Sequence, residues 1–528
     1  MMKQLILSEW LLTQLNQSNF PDRMPNHRRI YEVIRQAITT QVLQAGERLP
    51  STRRLAEDLT VSRNTILASF EQLLDEGYVA SQTGSGTYVT YNLHDSFLKN
   101  ITIDHTDDAD VKAEFTSNEA SVNQASNLSD LACVLLSKRG LAASGAAKPQ
   151  LSKTKNANNE VQPFTPGEDD YACFPYALWR RLLNRQWRTP DPILLDSSHD
   201  GGYLPLRKAI ADYLRVSRAV NLSYDQVLIT SGTQQSIDLC ARLLTDHDDC
   251  VWVENPGYWA ARRVLEVNGL KLHPVNVDKE GMAPSIKDYR TSPRMIYTTP
   301  SHQYPKGMVM SYGRRRLLLD YAQNVKAWII EDDYDSEFRF EGRPISSLQG
   351  MDQNGRVLYL GTFSKVMYPG IRLGYLVVPP NLVESFKSGL YELQRPGQVV
   401  IQAALAEFIE EGHFASHIRR LRQIYGERRR LLQAALAPIA KAGARLSKID
   451  SGLHLVVEFD DSCDDNHVAE LAANQGLRVY PLSHYCLGEK TEKGLIIGYA
   501  YAATEHISEY GNQLAEVIQA ALSPATHI

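Results

Sequence analysis

The chain has 528 residues, of which 43% are hydrophobic, 9% aromatic and 22% charged. At about 150 residues per domain this length predicts three to four domains, and the composition excludes both a lone small module and a chain that is disordered throughout. Lys and Arg number 56 against 61 Asp and Glu, a net charge of −5. Any contact with nucleic acid must therefore come from a local basic patch.

The cysteines and the N-terminus indicate the compartment. The N-terminal sequence MMKQLILSEWLLTQLNQ has no small-residue cleavage site, and no segment approaches about 18 uninterrupted apolar residues. We therefore expect a cytoplasmic protein without a membrane segment. The six cysteines form no CxxC pair, which predicts reduced thiols, no disulfide framework and no metal site. They are Cys133, Cys173, Cys240, Cys250, Cys463 and Cys486.

Residues 1–90 are predicted to form a small head of helices and a hairpin. Apolar residues recur at helical spacing over 28–44. Ser51 in GERLPSTRRLAEDL fits a second helix start, and Ser62 is a candidate N-cap for the third helix, SRNTILASFEQLLDEG. The following YVASQTGSGTYVT predicts two short strands around a glycine turn at 84–86. This order indicates an α+β winged helix-turn-helix.

Residues 91–162 are predicted to be a polar linker. Asn, Ser, Asp, Lys and Thr dominate this stretch, and it has no periodic pattern. A loop of this length without secondary structure is a linker or a functional arm rather than the interior of a domain. We expect it to let head and body move separately.

Residues 163–525 are predicted to form an α/β body. Strand-like apolar runs alternate there with helix-length segments, which predicts βαβ units and a mostly parallel sheet with its chemistry at the carboxyl ends of the strands. The runs lie at 227–230, 250–254, 295–299, 327–333 and 357–362. Beyond about 391, one long helix (VVIQAALAEFIEEGHFASHIRRLRQIYGERRRLLQAAL) precedes a smaller C-terminal α/β part containing LHLVVEF and GLIIGYAYA.

The basic residues of the head cluster near the predicted second and third helices. Residues 23–63 contain eight arginines and four acidic residues, whereas residues 1–90 as a whole contain nine basic and nine acidic residues. Side chains and free backbone N–H groups at these helix starts could contact phosphates and base edges. The candidates are Ser51, Arg53, Arg54, Ser62, Arg63, Asn64 and Thr65. Charge alone fits equally well with a head that docks on protein and solvates its arginines.

Two strand ends in the body carry candidate catalytic side chains. Lys365 in GTFSKVMYPGIRLGY follows a predicted strand, with Thr362, Ser364 and Arg372 nearby. A lysine amine can condense with an aldehyde while these neighbours hold a phosphate. In EDDYDSEFR, Asp332 could face a protonated ring nitrogen and Tyr334 could donate to a ring oxygen. Alternatively the lysine is structural, and the acids bind a metal or face water.

Two further segments could complete such a site. LITSGTQQSIDL is a strand, a glycine turn and a helix start, where the N–H groups of Gly232, Thr233 and Gln234 could cup a phosphate. Tyr258 follows a Pro256-Gly257 turn and could stack on an aromatic ring. Strand–glycine–helix turns are common, however, and an aromatic residue after a turn more often belongs to the core.

The linear pattern of the head decides between the alternatives. RLPSTRRLAEDLTVSRNTILASFEQLLDEGYVASQTGSGTYV closely resembles the winged helix-turn-helix of GntR-type bacterial regulators over about 27–90. The resemblance implies that the head binds double-stranded operator DNA through the residues named above and through Gly86 of the GSGT wing turn.

The order and spacing of the four body segments resemble the fold type I pyridoxal-phosphate enzymes, the aspartate aminotransferase superfamily, over about 163–525. The resemblance implies pyridoxal 5'-phosphate as cofactor, held by Lys365 as an internal aldimine. It implies that Asp332 pairs with the ring nitrogen, that Tyr334 contacts the ring oxygen and that Tyr258 stacks on the ring. The phosphate would be held by Thr233, Gln234, Thr362, Ser364 and Arg372.

The whole arrangement, including the TPSHQYPKG stretch, resembles the MocR family of bacterial regulators. Its members are described as dimers whose body senses a ligand while the heads bind operator DNA, often near genes for vitamin B6 or amino-compound metabolism. One departure matters. Catalytic aminotransferases carry a carboxylate-binding arginine in an LRLGF-like strand, whereas the segment here is LIIGY, with Ile496 at that position.

These resemblances predict a regulator rather than an enzyme. We expect a homodimer whose operator binding is modulated by pyridoxal phosphate or by an amine that reacts with it, since losing a bidentate contact at Ile496 removes about 1.5–3 kcal/mol of anchoring for an α-amino acid. Two alternatives stay open: a working aminotransferase with a fused DNA-binding domain, and a scaffold that binds no cofactor.

Overall fold

The computed structural model describes most of the head and body. The described residues are 10, 11, 15, 25–39, 42–44, 46–75, 78–82, 86–89, 139, 143, 161–188, 192–196, 200–340, 346–394, 397–447, 451–488 and 491–522. Cys133 and nearly all of the predicted linker at 91–162 lie outside them, so the linker and the domain boundaries stay predictions. The five described cysteines are free.

The head contains three helices and a two-stranded hairpin. The helices are α1 (Asn26–Thr39), α2 (Thr52–Asp58) and α3 (Arg63–Asp75), and the antiparallel strands are β1 (Val79–Gln82) and β2 (Gly86–Val89). The Ser51 hydroxyl accepts from the Arg54 N–H at 3.3 Å, and the Ser62 hydroxyl accepts from the Thr65 N–H at 3.1 Å. These serines cap α2 and α3 as predicted, whereas the first helix ends at Thr39 rather than near residue 44.

The body is built on an eight-stranded sheet. Its strands are β3 (Val227–Thr230), β4 (Cys250–Asn255), β5 (Lys271–Asp278), β6 (Gly281–Met282), β7 (Met295–Thr298), β8 (Trp328–Asp333), β9 (Val357–Thr362) and β10 (Gly374–Val377). They lie in the order β3-β10-β9-β8-β7-β4-β5-β6. The run β9-β8-β7-β4-β5 is parallel, and β10 and β6 are antiparallel to their neighbours. The predicted mostly parallel sheet is confirmed.

Helices cover both faces of this sheet. The helices of the large part are α4 (Tyr176–Arg188), α5 (Leu204–Ser217), α6 (Thr233–Leu244), α7 (Trp259–Val267), α8 (Tyr312–Val325), α9 (Leu348–Met351), α10 (Val383–Gln394), α11 (Val399–Glu410) and α12 (His413–Leu436). Two more helices, α13 (Asp465–Asn474) and α14 (Ile507–Leu522), belong to the smaller C-terminal part. Successive residues of β9 point to opposite faces of the sheet and pack in different hydrophobic cores. Leu358 and Leu360 pack in one core, and Tyr359 packs in the other. Burial on both faces explains why these strands are continuously apolar.

The smaller C-terminal part has a four-stranded antiparallel sheet. Its strands are β11 (Arg445–Leu446), β12 (His454–Glu458), β13 (Tyr480–Pro481) and β14 (Gly494–Gly498), in the order β11-β12-β14-β13. The prediction of a single long helix before this part is wrong. The segment forms two helices, α11 and α12, because Gly412 adopts φ +77°, a left-handed conformation that interrupts the helix and that glycine adopts at little cost.

The head lies against the body along α1. Arg28 Nη2 donates to the Glu410 carbonyl at the end of α11 (2.7 Å), and Arg35 lies 3.6 Å from Asp212 of α5. Val216, on the last turn of α5, packs against the apolar core of the head. Helix α5 therefore contacts the head directly. No helix within the described ranges combines the length and apolar character that a membrane span requires.

Candidate functional site

One cavity, of about 440 Å³, collects every residue predicted to bind the cofactor. It lies at the carboxyl ends of β8 and β9 and at the start of α6, the usual ligand position in an open α/β sheet. Its lining includes Gly232, Thr233, Gln234, Tyr258, Asp332, Tyr334, Thr362, Ser364, Lys365 and Arg372.

One end of the cavity is suited to an anion. Gly232 is the N-cap of α6 with φ +120°, and a Cβ there would meet no atom within 4 Å, so the backbone conformation rather than crowding favours glycine. The helix N-terminus presents free N–H groups and the positive end of the helix dipole. Arg372 is exposed at this cavity, and the Ser364 N–H donates to Thr362 Oγ1 at 3.1 Å. A phosphate would find both charge and donors here.

Asp332 carries an unused acceptor. The side chain is 2% exposed, Oδ2 accepts a hydrogen bond from the Tyr297 hydroxyl at 2.5 Å, and buried Oδ1 has no partner. Burial raises the pKa of Asp332 to about 7, although the Tyr297 hydrogen bond opposes the shift. An orphaned, buried carboxylate oxygen is destabilising unless a ligand N–H reaches it. A protonated pyridine nitrogen would supply that donor.

Tyr334 belongs to a buried hydrogen-bonded cluster. Its hydroxyl lies 2.9 Å from His302 Nδ1, which is also 2.9 Å from Asp335 Oδ2, and His302 Nε2 has no partner. Gly452 makes room for this imidazole, because a Cβ at residue 452 would lie 1.9 Å from the ring. The cluster fixes the Tyr334 hydroxyl at the cavity wall.

Lys365 is held by the first residues of the body. Its Nζ donates to the Gly167 carbonyl at 2.5 Å and lies 3.6 Å from Asp169 Oδ2. Burial raises the pKa of Asp169 to about 6, and the nearby Lys365 ammonium works against this shift. The segment at 163–169 therefore supplies both a carbonyl and a carboxyl group to the lysine.

Another part of the cavity is aromatic. Trp259, Tyr304, His454, Tyr480 and Tyr485 line it, and we call these five side chains the aromatic wall. The Tyr304 and Tyr485 hydroxyls lie 3.3 Å apart, and His454 Nε2 lies 2.7 Å from the Pro305 carbonyl.

The predicted DNA-binding residues lie at the starts of α2 and α3 and on the hairpin. Arg53, Ser62, Arg63 and Asn64 are exposed. Arg54 is half-buried and lies 3.8 Å from Asp58. The hydroxyls of Ser62 and Thr65 lie 2.8 Å apart, so they serve the cap of α3 in the free protein. Gly86 is in the left-handed region at φ +123°, and Ser51 caps α2; positions 84 and 85 lie outside the described residues.

The sequence did not reveal several residues of the site. They are Gly167, Asp169, Tyr297, His302 and Asp335. The detectable signals were weak: Tyr297 lies in a predicted strand beside that of Asp332, and His302 lies in the TPSHQYPKG stretch. No group of three or more His, Cys, Asp or Glu side chains in the described part of the chain is arranged to hold a metal.

Two family models match the chain, one for each region. Residues 26–89 match "Bacterial regulatory proteins, gntR family", and residues 197–495 match "Aminotransferase class I and II". Among curated proteins, the chain is 38% identical over 478 residues to "Probable rhizopine catabolism regulatory protein MocR" of Rhizobium meliloti, covering 90% of each chain. The chain belongs to the MocR family.

Other members show the same fusion. The "HTH-type pyridoxine biosynthesis transcriptional regulator PdxR" of Corynebacterium glutamicum is 30% identical over 89% of this chain and 91% of its own. The matched regions and these relatives identify the protein as a transcriptional regulator with a DNA-binding head and an aminotransferase-like body.

Solved aminotransferases match a large part of the chain. A kynurenine aminotransferase of Pyrococcus horikoshii superposes with a TM-score of 0.64 at 27% identity, covering 69% of this chain and 91% of its own. A multiple substrate aminotransferase of Thermococcus profundus gives a TM-score of 0.67 at 25% identity, covering 75% and 99%. The body therefore has the fold type I aminotransferase architecture.

Proposed function

We propose that this MocR-family regulator binds pyridoxal 5'-phosphate in the described cavity and that cofactor occupancy, or an amine that reacts with the cofactor, changes its affinity for operator DNA. One observation carries the proposal. A buried carboxylate oxygen without a donor (Asp332 Oδ1), a lysine amine (Lys365) and an anion-binding helix start (Gly232) face the same cavity. The ring nitrogen of the cofactor matches the carboxylate oxygen, its aldehyde matches the lysine amine and its phosphate matches the helix start.

Each side chain has a proposed task in binding. When bound, the cofactor supplies an aldehyde that condenses with amines and a ring that accepts negative charge. Lys365 provides the amine, Asp332 keeps a proton on the ring nitrogen, and Tyr334 donates to the ring oxygen. Tyr258 packs on the ring. The phosphate is held by Gly232, Thr233, Gln234, Thr362, Ser364 and Arg372.

A buried ion pair and helix α5 lie between the cavity and the head. Asp333, next to Asp332 on β8, pairs with Arg218 at 2.7 Å. Arg218 is the C-cap of α5, the helix whose Asp212 and Val216 contact the head. We propose that cofactor binding at β8 is transmitted through this pair to α5, a coupling worth about 1–3 kcal/mol.

The body is proposed to sense rather than to turn over substrates. Ile496 is fully buried, at the position where the sequence comparison with catalytic aminotransferases places arginine. Without that cation an α-amino acid lacks a carboxylate anchor and the orientation that it provides. Steady transamination of common amino and keto acids at enzyme-like rates would favour the alternative, a working aminotransferase.

We propose a homodimer, with one head on each operator half-site. Large apolar side chains between the start of α4 and the start of α5 are exposed, including Trp187 (58%) and Leu195 (67%). Tyr176, Ile193 and Leu204 are exposed in the same stretch. A second copy would cover them, and two-fold symmetry would match a palindromic operator.

We place this regulator in the bacterial cytoplasm, on the nucleoid when it is bound to DNA through Ser51, Arg53, Arg54, Ser62, Arg63, Asn64, Thr65 and Gly86. Relatives named for pyridoxine biosynthesis and rhizopine catabolism support control of vitamin B6 or amino-compound metabolism. Footprinting on the DNA flanking its own gene, with and without pyridoxal phosphate, tests the proposal. A change in protection is expected; identical protection in both samples would contradict it.

A further inference from the structure

The aromatic wall has no task in the proposed cofactor site. Its members Trp259, Tyr304, Tyr480 and Tyr485 pack in one cluster with Ile496. The Tyr304 and Tyr485 rings are 5.5 Å apart between centroids and meet edge to face. The wall is therefore a preformed surface, available to whatever enters beside the cofactor.

The cavity lining offers no cation that could pair with a carboxylate at the aromatic wall. Among the described lining residues, the cationic side chains are Lys365 and Arg372, both proposed to hold the cofactor. Ile496 pairs with Tyr480 across β13 and β14 and is fully buried. Lys306 lies 2.6 Å from Glu492, so its charge is already balanced. Arg478 lies over the Tyr480 ring at 5.6 Å but is not among the lining residues. A carboxylate placed against the wall from inside the cavity would therefore lose its water without gaining a cation among the lining side chains, which is unfavourable.

The wall does offer neutral hydrogen-bonding groups. A pair of hydroxyls shares one hydrogen, so Tyr304 and Tyr485 together keep one O–H for a further acceptor. His454 is neutral because burial lowers its pKa to about 3, and its Nε2–H donates to the Pro305 carbonyl. Nδ1 of His454 is then an acceptor. Donor and acceptor without charge suit a hydroxyl or ether oxygen.

We propose that the aromatic wall receives the body of a primary amine that carries an uncharged oxygen and no carboxylate. The inference rests on the proposed function, because the ligand's amino group must meet the cofactor at Lys365. When bound, the cofactor would supply the aldehyde carbon, and Lys365 would release this carbon to the ligand's amino nitrogen. The C=N bond to Lys365 would break as the C=N bond to the ligand forms, and both hydrogens of the ligand's amino group would pass to the lysine nitrogen, so no oxidant or further reactant would be required.

Stable reduced adducts test the ligand class without any turnover. N-(5'-phosphopyridoxyl)-tyramine and N-(5'-phosphopyridoxyl)-tyrosine differ only in the carboxylate. Titrated calorimetrically into the full-length cofactor-free protein, the tyramine adduct is expected to bind at least tenfold more tightly. Equal affinities, or tighter binding of the tyrosine adduct, would overturn the inference. Failure of pyridoxal phosphate itself to bind would instead contradict the proposed function, and the inference with it.

Substitutions at Ile496 and in the aromatic wall test whether this part of the cavity causes the preference for the tyramine adduct. Ile496→Arg is expected to shift the preference at least tenfold toward the tyrosine adduct, whereas Ile496→Met, a control of similar volume, keeps it. Should Ile496→Arg not fold, the Tyr304→Phe/Tyr485→Phe double variant decides. It is expected to abolish the advantage of the tyramine adduct over the corresponding phenethylamine adduct. An unchanged advantage in that variant would contradict the assigned role of the two hydroxyls.

Discussion

Arg218 and Asp333 form an ion pair of 2.7 Å in which both side chains are less than a tenth exposed. The pair joins the strand that carries Asp332 to the helix that touches the head, and Arg218 Nη2 also contacts the Ser301 hydroxyl. A buried pair of this kind holds two elements in one relative position, because separating the charges leaves each without its counter-ion.

Breaking this pair should uncouple DNA binding from the cofactor. Asp333→Asn is expected to keep pyridoxal-phosphate binding within about threefold but to reduce the cofactor-dependent change in operator affinity by about 1–3 kcal/mol. Fluorescence anisotropy with a labelled operator measures both states. Arg242→Met, which removes the exposed Arg242–Asp238 pair, is the control and should retain the change. An Asp333→Asn protein with the full response would exclude this route.

Lys365→Ala should remove covalent capture of the cofactor. The parent protein with pyridoxal phosphate is expected to show a visible absorbance band and to retain pyridoxyl label after borohydride reduction. The variant should show neither after dialysis, because no other described lysine lines the cavity. Lys387→Ala, on α10 and outside the lining of the cavity, should behave as the parent does. Label retained on another side chain of the Lys365→Ala protein would refute the assignment.

The raised pKa of Asp332 should make the stability of the cofactor-free protein depend on pH. Burial raises its pKa to about 7, well above the value in an unfolded chain, so the stabilisation from its neutral form is complete below about pH 4 and is lost as the pH rises through 7. Glu337 and Asp169 act in the same direction. The thermal unfolding midpoint should therefore fall between pH 5 and pH 8.

Asp332→Asn isolates the contribution of this carboxyl group. The variant keeps a neutral side chain at every pH, so its decline in midpoint from pH 5 to pH 8 should be smaller by about 2–5 °C. Pyridoxal phosphate should stabilise the parent more than the variant at pH 8, because the carboxylate forms a charge-assisted hydrogen bond with a protonated ring nitrogen, whereas the Asn amide is neutral. Parallel pH profiles for the two proteins would contradict the assignment.

Arg63 and Asn64 at the start of α3 should read base edges. Arg63→Ala is expected to cost about 1–3 kcal/mol in operator binding and to relax sequence preference at one position. Arg53→Ala, placed to contact phosphate, should weaken binding to all sequences and reduce the salt dependence. Competition titrations at several salt concentrations distinguish the two. Lys279→Ala in the body is the control; equal losses in it and in Arg63→Ala would argue against head-mediated recognition.

The sequence identified the parts of the fold that depend on local pattern. The caps at Ser51 and Ser62 and the strands at 227–230 and 357–362 appear where periodicity and capping chemistry place them. The break at Gly412 was missed because the apolar pattern continues across it. Helices often tolerate a glycine, so a glycine inside a helical pattern does not by itself predict that the helix ends there.

The site was only partly predictable. Lys365 follows β9, Asp332 lies at the carboxyl end of β8, and both carry chemistry suited to a recognised cofactor, so motif reasoning found them. Tyr297, by contrast, becomes a partner of Asp332 only because β7 and β8 are neighbours in the sheet. Gly167 reaches Lys365 from 198 positions away in the chain. Contacts of this kind follow from tertiary packing, which a linear pattern does not encode.

The most direct test of the account is the operator affinity of the full-length parent and Lys365→Ala proteins, each measured by anisotropy with and without pyridoxal phosphate. We predict that the cofactor changes the parent's dissociation constant by at least about fivefold, a coupling of about 1 kcal/mol or more, and leaves that of the variant unchanged. An unchanged constant in the parent, or an equal change in both proteins, would contradict it.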